Sequence, residues 1–165
     1  MFEGNNPCYT ITSQPHRRDI DQTAHLTVSV APEPRCVGQL RAVSRARLQT
    51  WGFATQGDTV ELLLSEILGN AIRHTSSDHI KMSLSYAAGL IRLEVVVDGA
   101  PGRPRMRHPG PDEESGRGLL IVNALAEQWG TSQDGSTTWC TIAVRNEGRL
   151  DWVQFVSSEG VSTDM

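Results

Sequence analysis

Cysteine and lysine are scarce in this chain, and their scarcity excludes several kinds of site. The 165 residues include three cysteines, Cys8, Cys36 and Cys140. Because they are odd in number and far apart, they predict neither a disulfide framework nor a C-x-x-C metal or redox motif, and we expect small buried side chains. The single lysine, Lys81, lies outside any glycine-rich stretch, so a P-loop of the type G-x-x-x-x-G-K-[ST] is absent.

Long apolar runs and an excess of positive charge are also missing. No run approaches the ~20 apolar residues that cross a bilayer, and the N-terminus has no basic segment followed by an apolar one. The formal charge of −4, from 15 basic and 19 acidic residues, disfavours direct binding of nucleic acid. We therefore expect a cytoplasmic protein of one domain that neither enters a membrane nor binds nucleic acid.

The hydrophobic pattern predicts one α/β domain over residues 23–145. Strand patterns cover residues 25–30, 80–86, 90–97 and 137–144, and helical patterns cover 37–52, 57–75 and 119–128. Ala87-Ala88-Gly89 is typical of a hairpin turn between the second and third strands, and Asp58 is a candidate cap for the second helix. Residues 1–22 and 146–165 show no period, which predicts a flexible N-terminal arm and a C-terminal tail.

Polar residues recur at helical spacing along the second predicted helix. Glu66, Asn70 and His74 are each four residues apart, which places them on one stripe of the helix. A carboxylate, a carboxamide and an imidazole together offer a base, an oxygen ligand for a hard cation and a proton carrier. The alternative is a polar stripe that simply faces solvent.

Two further motifs surround a long proline-rich loop. Asp98 follows the apolar run LEVVV and precedes a glycine, so it is either a turn-forming residue or an acceptor that reads a ligand. Ser115-Gly116-Arg117-Gly118 opens the third helix, where backbone N–H groups favour an anion. An ordinary helix N-terminus explains this second motif equally well.

Taken in order, these motifs resemble the GHKL (Bergerat-fold) ATPase and kinase superfamily. The segments that carry the resemblance are SEILGNAIRHT, VVVDGAPGRP, ESGRGLLIVNALAEQWG and TTWCTIAV. They are most similar to the stand-alone anti-sigma-factor serine kinases and their actinobacterial relatives, over residues 25–145. The resemblance implies a two-layer α/β (α+β) sandwich, with a mixed, largely antiparallel sheet covered on one face by helices, and an ATP lid at residues 103–114.

The resemblance also implies roles for individual residues in binding ATP and Mg²⁺. Glu66 corresponds to the catalytic base, and Asn70 corresponds to the Mg²⁺ ligand. Asp98 corresponds to the acceptor for the adenine amino group. The other implied nucleotide contacts are Arg73, His74, Gly102, Gly116, Arg117, Gly118 and Thr137. Ala100 stands where the family has a glycine, which reshapes the entry to the lid.

Two functions follow from the resemblance. The first is an anti-sigma factor with ATP-dependent protein serine kinase activity, whose partners are a sigma factor and an anti-anti-sigma protein of the STAS type. The alternative is a non-catalytic adenine-nucleotide-binding regulator, or a histidine-kinase-like ATPase module, that acts through partner binding. A homodimer is compatible with either function. A plain α+β domain without a ligand would require the ordered motifs to be coincidental.

Overall fold

The chain folds into a sheet of six strands and three α-helices, with a 3-10 turn at Ala54–Gln56. The computed structural model describes residues 6, 8–12, 24–98 and 117–144. In chain order the elements are β1 (Tyr9–Ile11), β2 (Ala24–Val30), α1 (Pro34–Trp51), α2 (Gly57–His74), β3 (Ile80–Ala87), β4 (Leu90–Val97), α3 (Arg117–Leu125), β5 (Gln128–Thr131) and β6 (Thr137–Ala143).

The sheet has the strand order β1-β2-β3-β4-β6-β5, and each neighbouring pair is antiparallel. The predicted α+β sandwich with a largely antiparallel sheet is confirmed, and the described strands include no parallel pair. The predicted hairpin joins β3 to β4 through Ala88 and Gly89, with φ of 50° and 79°. Two positive φ angles match the right-handed twist of the flanking strands, so the two strands pair directly.

One face of the sheet is apolar and lies under the helices. Alternate strand residues point to this face because the side-chain period of a strand is two. The fully buried side chains on β2, β3 and β4 include Leu26, Val28, Ile80, Met82, Leu84, Ile91 and Leu93, and those on the helices include Leu40, Leu48, Leu63, Leu64 and Leu68. Burial of this apolar surface fixes which side of α2 faces the sheet.

The start of α2 differs from the prediction. Gln56 occupies the N-cap position, and Asp58 lies in the first turn. Asp58 instead forms an ion pair with Arg45 of α1, which also donates from Nε to Glu61 Oε1 at 2.6 Å. The Arg45 guanidinium holds the pKa of the Glu61 carboxyl below its ordinary value. Charge pairing between the two helices therefore replaces the expected cap.

Strand β5 begins at Gln128, the last residue of the predicted third helix. The helix stops at Leu125, and the Glu127 N–H donates to the Thr141 carbonyl at 2.8 Å, which starts the pairing of β5 with β6. A Cβ on Gly130 would lie 3.1 Å from Trp139 Cζ2. The missing side chain leaves room for the indole, so β5 and β6 pair closely just after the helix ends.

The N-terminal region contains a strand that its composition did not predict. β1 pairs with β2 at the edge of the sheet, with Tyr9 opposite Val30. The C-terminal tail lies outside the described residues. None of the helices within residues 24–98 and 117–144 combines the length and the apolar character that crossing a bilayer requires.

Ser44 offers a test of the packing between α1 and the rest of the core. Its side chain is fully buried on the inner face of α1, and its Oγ has no hydrogen-bond partner among the described residues. Ser44→Ala removes a buried unpaired hydroxyl, so we expect it to raise the free energy of unfolding by about 1 kcal/mol. Urea denaturation measures this change.

Ser65→Ala is the matched control, because Ser65 Oγ donates to the Glu61 carbonyl at 2.7 Å. Both substitutions gain the same helix propensity, and only Ser44→Ala removes an unpaired group. A Ser44→Ala protein no more stable than Ser65→Ala would contradict this reading of the core.

Candidate functional site

The polar stripe of α2 lies beside its buried face. Ile67 and Leu68 are buried against the sheet, while Glu66 is half-buried and Asn70 and His74 are exposed. The apolar side of the helix therefore fixes the direction of the polar stripe. Glu66 is the stripe residue that approaches α3.

Glu66 and Gly118 are in close contact. A Cβ built on Gly118 would lie 3.1 Å from Glu66 Cδ and would overlap Oε2. Only a glycine lets the backbone of α3 approach the carboxylate this closely. The first turn of α3 lies at the positive end of the helix dipole, which favours the nearby negative charge.

Asn70 and Arg73 interact near the end of α2. Arg73 Nη2 donates to Asn70 Oδ1 at 3.0 Å, at an exposed position. A carboxamide oxygen has two lone pairs, so the atom retains capacity for a cation. His74, the last residue of α2, is exposed. These side chains form a polar group at the carboxyl end of the helix.

Asp98 follows β4 directly and is exposed. The preceding residue, Val97, donates its N–H to the Ser136 carbonyl at 2.8 Å. Asp134 in turn accepts hydrogen bonds from Ser132 Oγ at 2.5 Å and from the Ser136 N–H at 3.0 Å. The β5–β6 turn thus fixes the end of β4, and with it the backbone position of Asp98.

We call these hydrogen bonds to the Asp134 carboxylate the Asp134 bracket. The sequence predicted a turn at Asp134-Gly135 but not the hydrogen bonds. Hydrogen bonds, first from Ser132 Oγ and then from the Ser136 N–H, lower the pKa of Asp134 to about 2. The carboxylate therefore stays ionised near neutral pH and keeps its role as an acceptor. The sequence S-x-D-G-S carries the only local signal for this bracket, through the tendency of Asp and Ser to bond to nearby backbone.

Thr137 lies on the face of the sheet away from the helices. It pairs with Val96, whereas Thr138 pairs with Val95, which is buried toward the helices. Directly opposite residues of an antiparallel pair point to the same face. Thr138, and not Thr137, therefore faces the layer that contains α2. A shift of one residue in strand register turns each side chain to the other face of the sheet. Because residues 137 and 138 are both threonine, the sequence did not decide which of them faces the helices.

Several expected site residues fall outside the described part of the chain. These are Gly102, Gly116, Ala100 and the expected ATP lid at residues 103–114. Arg117 is described: it is the first residue of α3 and is exposed. The structure thus brings Glu66 to Gly118 and Asn70 to Arg73, and α2 packs on both α3 and β4.

These residues fit a magnesium ion with a polyphosphate. Mg²⁺ takes oxygen ligands and commonly uses one or two protein groups together with water and phosphate oxygens. Asn70 Oδ1 is an exposed carboxamide oxygen at the right position on the stripe. Arg73, Arg117 and the first turn of α3 supply positive charge and N–H donors for phosphate oxygens.

Comparison with known families assigns the region that contains this site. A family model described as a histidine kinase-like ATPase domain matches residues 30–144. The match begins at the last residue of β2 and ends just after β6, so it includes every described candidate residue. A comparison with curated proteins found no match.

The Glu66–Gly118 contact gives a direct test of the geometry. Gly118→Ala places a methyl group where Glu66 Oε2 lies, so the carboxylate must rotate away from α3. Replacing glycine by alanine inside a helix normally raises the free energy of unfolding by about 0.5–1 kcal/mol. We expect Gly118→Ala to lose most of that gain, as measured by urea denaturation.

Gly38→Ala in α1 is the control, since nothing lies within 4 Å of its built Cβ. It should show the full gain from helix propensity. Equal stabilisation by Gly38→Ala and Gly118→Ala would mean that Glu66 does not occupy the observed position.

Proposed function

Because this chain belongs to the histidine kinase-like ATPase domain family, we propose that it binds Mg²⁺–ATP and transfers the γ-phosphoryl group to a protein serine. The site lies between the second half of α2, the start of α3 and the end of β4. The observation that carries the proposal is the approach of the Glu66 carboxylate to the N-terminal turn of α3. The approach supports the proposal because a carboxylate can accept a proton and a helix N-terminus favours phosphate.

In this proposal, Asp98 at the end of β4 recognises the adenine. The Asp98 carboxylate accepts a hydrogen bond from the exocyclic amino group of adenine. Guanine carries a carbonyl at that position, which would face a second acceptor, so the pair selects against guanine. The bracket formed by Asp134 and Ser136 supports this role because it fixes the backbone immediately before Asp98. Thr138 lies on the neighbouring strand β6, where it pairs with Val95 and faces the helices.

The phosphates are held by groups from two helices. Arg73 turns from Asn70 Oδ1 toward a phosphate oxygen, which frees the amide oxygen for Mg²⁺. Arg117 and the N–H groups of the first α3 turn bind the other phosphate oxygens. Bound Mg²⁺ would neutralise phosphate charge and help to align the transferred group.

Glu66 provides the proton acceptor for the serine substrate. Its Oε2 takes the hydroxyl proton as the serine oxygen forms its bond to phosphorus and ADP leaves. The backbone of Gly118 limits the directions available to the carboxylate, so the acceptor is oriented before the substrate arrives. General bases of this kind contribute roughly 10²–10⁴-fold to rates.

The proposed partners are a sigma factor, bound by this chain as an anti-sigma factor, and an anti-anti-sigma protein of the STAS type as the phosphoryl acceptor. The support is the resemblance of SEILGNAIRHT and ESGRGLLIVNALAEQWG to the stand-alone anti-sigma-factor kinases. Both Glu66 and Asn70 are retained in these segments. A kinase of this kind needs its acceptor protein to turn over, so assays require the partner.

A second function is favoured by the same contact. The Glu66 carboxylate lies at the positive end of α3, where a negative charge stabilises the helix whether or not chemistry occurs. The protein would then be a nucleotide-dependent regulator in which ATP binding alters partner binding without phosphoryl transfer. Variants of Glu66 separate the two functions.

Base selectivity tests the proposed role of Asp98. Asp98→Asn keeps the shape of the side chain but can present an amide N–H to the adenine amino group. We expect ATP affinity to fall by roughly 5- to 100-fold, equivalent to the ~1–3 kcal/mol cost of a mismatched polar pair. Calorimetric titration with ATP and GTP measures the change.

Asp58→Asn is the control and should bind ATP as the wild type does, because Asp58 lies in the first turn of α2, at the end of the helix away from Asn70 and His74. Wild-type affinity in a folded Asp98→Asn protein would assign Asp98 to the turn alone.

Phosphoryl transfer tests the role of Glu66. Glu66→Gln removes the proton acceptor with little change in shape, so transfer from γ-labelled ATP to the STAS-type partner should fall by about 10²–10⁴-fold. ATP affinity should stay close to that of the wild type. Glu94→Gln changes a carboxylate on the outer face of the sheet and should leave transfer unchanged.

If the wild type and Glu66→Gln regulate the partner equally and neither transfers phosphate, the regulator function replaces the kinase function.

A further inference from the structure

Cys8 lies beside the first turn of α1, although the two segments are far apart in sequence. The Cys8 carbonyl accepts the Ala31 N–H at 2.9 Å, which extends the β1–β2 pairing by one residue. From there, the Glu33 N–H donates to the Ala31 carbonyl at 2.7 Å, and the Cys36 N–H donates to the Glu33 carbonyl at 2.9 Å. Successive backbone hydrogen bonds thus connect the two cysteines.

Both side chains of this pair are buried in the same core. Cys8 is 2% exposed and Cys36 is fully buried, and both belong to the apolar cluster under the helices. The Cys8 thiol contributes to the raised pKa of Cys36, as a neighbouring side chain does. Cys140 is also buried but lies in β6, separated from β1 by three intervening strands. The expectation that the cysteines are small buried side chains is confirmed for all three, which are free thiols.

We propose that Cys8 and Cys36 form a reversible disulfide that ties edge strand β1 to the first turn of α1. Each thiol loses one proton and one electron as the sulfur–sulfur bond forms. A peroxide accepts the two electrons and two protons and is reduced to water, or a low-molecular-weight disulfide accepts them and is reduced to two thiols. Because the backbone of Cys8 is hydrogen-bonded to Ala31, just before α1, rotation of the two buried side chains brings the sulfurs to bonding distance.

The fold controls how fast this reaction proceeds. Burial, and then the neighbouring Cys8 thiol, raise the pKa of Cys36 to about 11. The reactive thiolate is therefore scarce near neutral pH, and the oxidant reaches the pair only when β1 separates from β2. β1 has three residues and pairs only with β2 among the described strands, so this opening breaks few hydrogen bonds. The disulfide therefore forms only after β1 has separated from β2, and once formed it prevents further separation.

Oxidation of the full-length protein tests the proposal. The reduced protein is incubated with hydrogen peroxide, or separately with oxidised glutathione, then alkylated, digested and mapped by mass spectrometry. We expect a peptide that links Cys8 to Cys36, one remaining free thiol at Cys140, and reversal by dithiothreitol. The melting temperature of the oxidised protein should rise by roughly 5–10 °C, because the bond closes a long loop.

Single cysteine variants provide the controls. Cys140→Ala should still form the link and show the rise in melting temperature, whereas Cys8→Ala and Cys36→Ala should show neither. The proposal is overturned if oxidised wild type and Cys140→Ala contain no Cys8–Cys36 peptide. It is equally overturned if oxidation yields only sulfinic acids, glutathione adducts or links between molecules.

Discussion

The contact between the Glu66 carboxylate and the backbone of Gly118 is the constraint on which the candidate site depends. The carboxylate occupies the space that a Cβ at residue 118 would fill, so a side chain there would displace it. The negative group then lies against the positive end of α3, so the contact is electrostatically favourable as well as close. In the proposed function, the same approach orients Glu66 as the proton acceptor, and the N–H groups at the start of α3 bind phosphate.

The two layers of the fold make this contact possible. The apolar face of α2 is buried against β4 and β6, which leaves Glu66 and Asn70 on the adjacent side of the helix. Arg45 joins α1 to α2 through Glu61 and Asp58, so the helix layer is held by charge as well as by burial. At the far end of β4, hydrogen bonds from the β5–β6 turn fix the start of the Asp98 segment. The candidate site is therefore positioned by the packing of the core and by the hydrogen bonds of the β5–β6 turn.

Local patterns predicted the elements whose periods are strong, and missed those that depend on distant partners. The helical period of VELLLSEILGNAIRH and the hairpin at Ala88-Gly89 predicted α2, β3 and β4. β5 has no clear alternation and forms because β6 supplies its hydrogen bonds. The stripe containing Glu66 and Asn70 followed from spacing alone. The approach of Gly118 to Glu66, the Asp134 bracket and the orientation of Thr138 did not, because each depends on the tertiary placement or register of another segment.

Hydrogen–deuterium exchange with and without saturating Mg²⁺–ATP locates the nucleotide most directly. The account predicts slower amide exchange in the second half of α2, at residues 97–98, in the first turns of α3 and at residues 137–138. Exchange in β1 and β2 should not change, because those strands lie at the opposite edge of the sheet. No protection at α2 and α3, or protection confined to α1 and the β1–β2 edge, would contradict the proposed site.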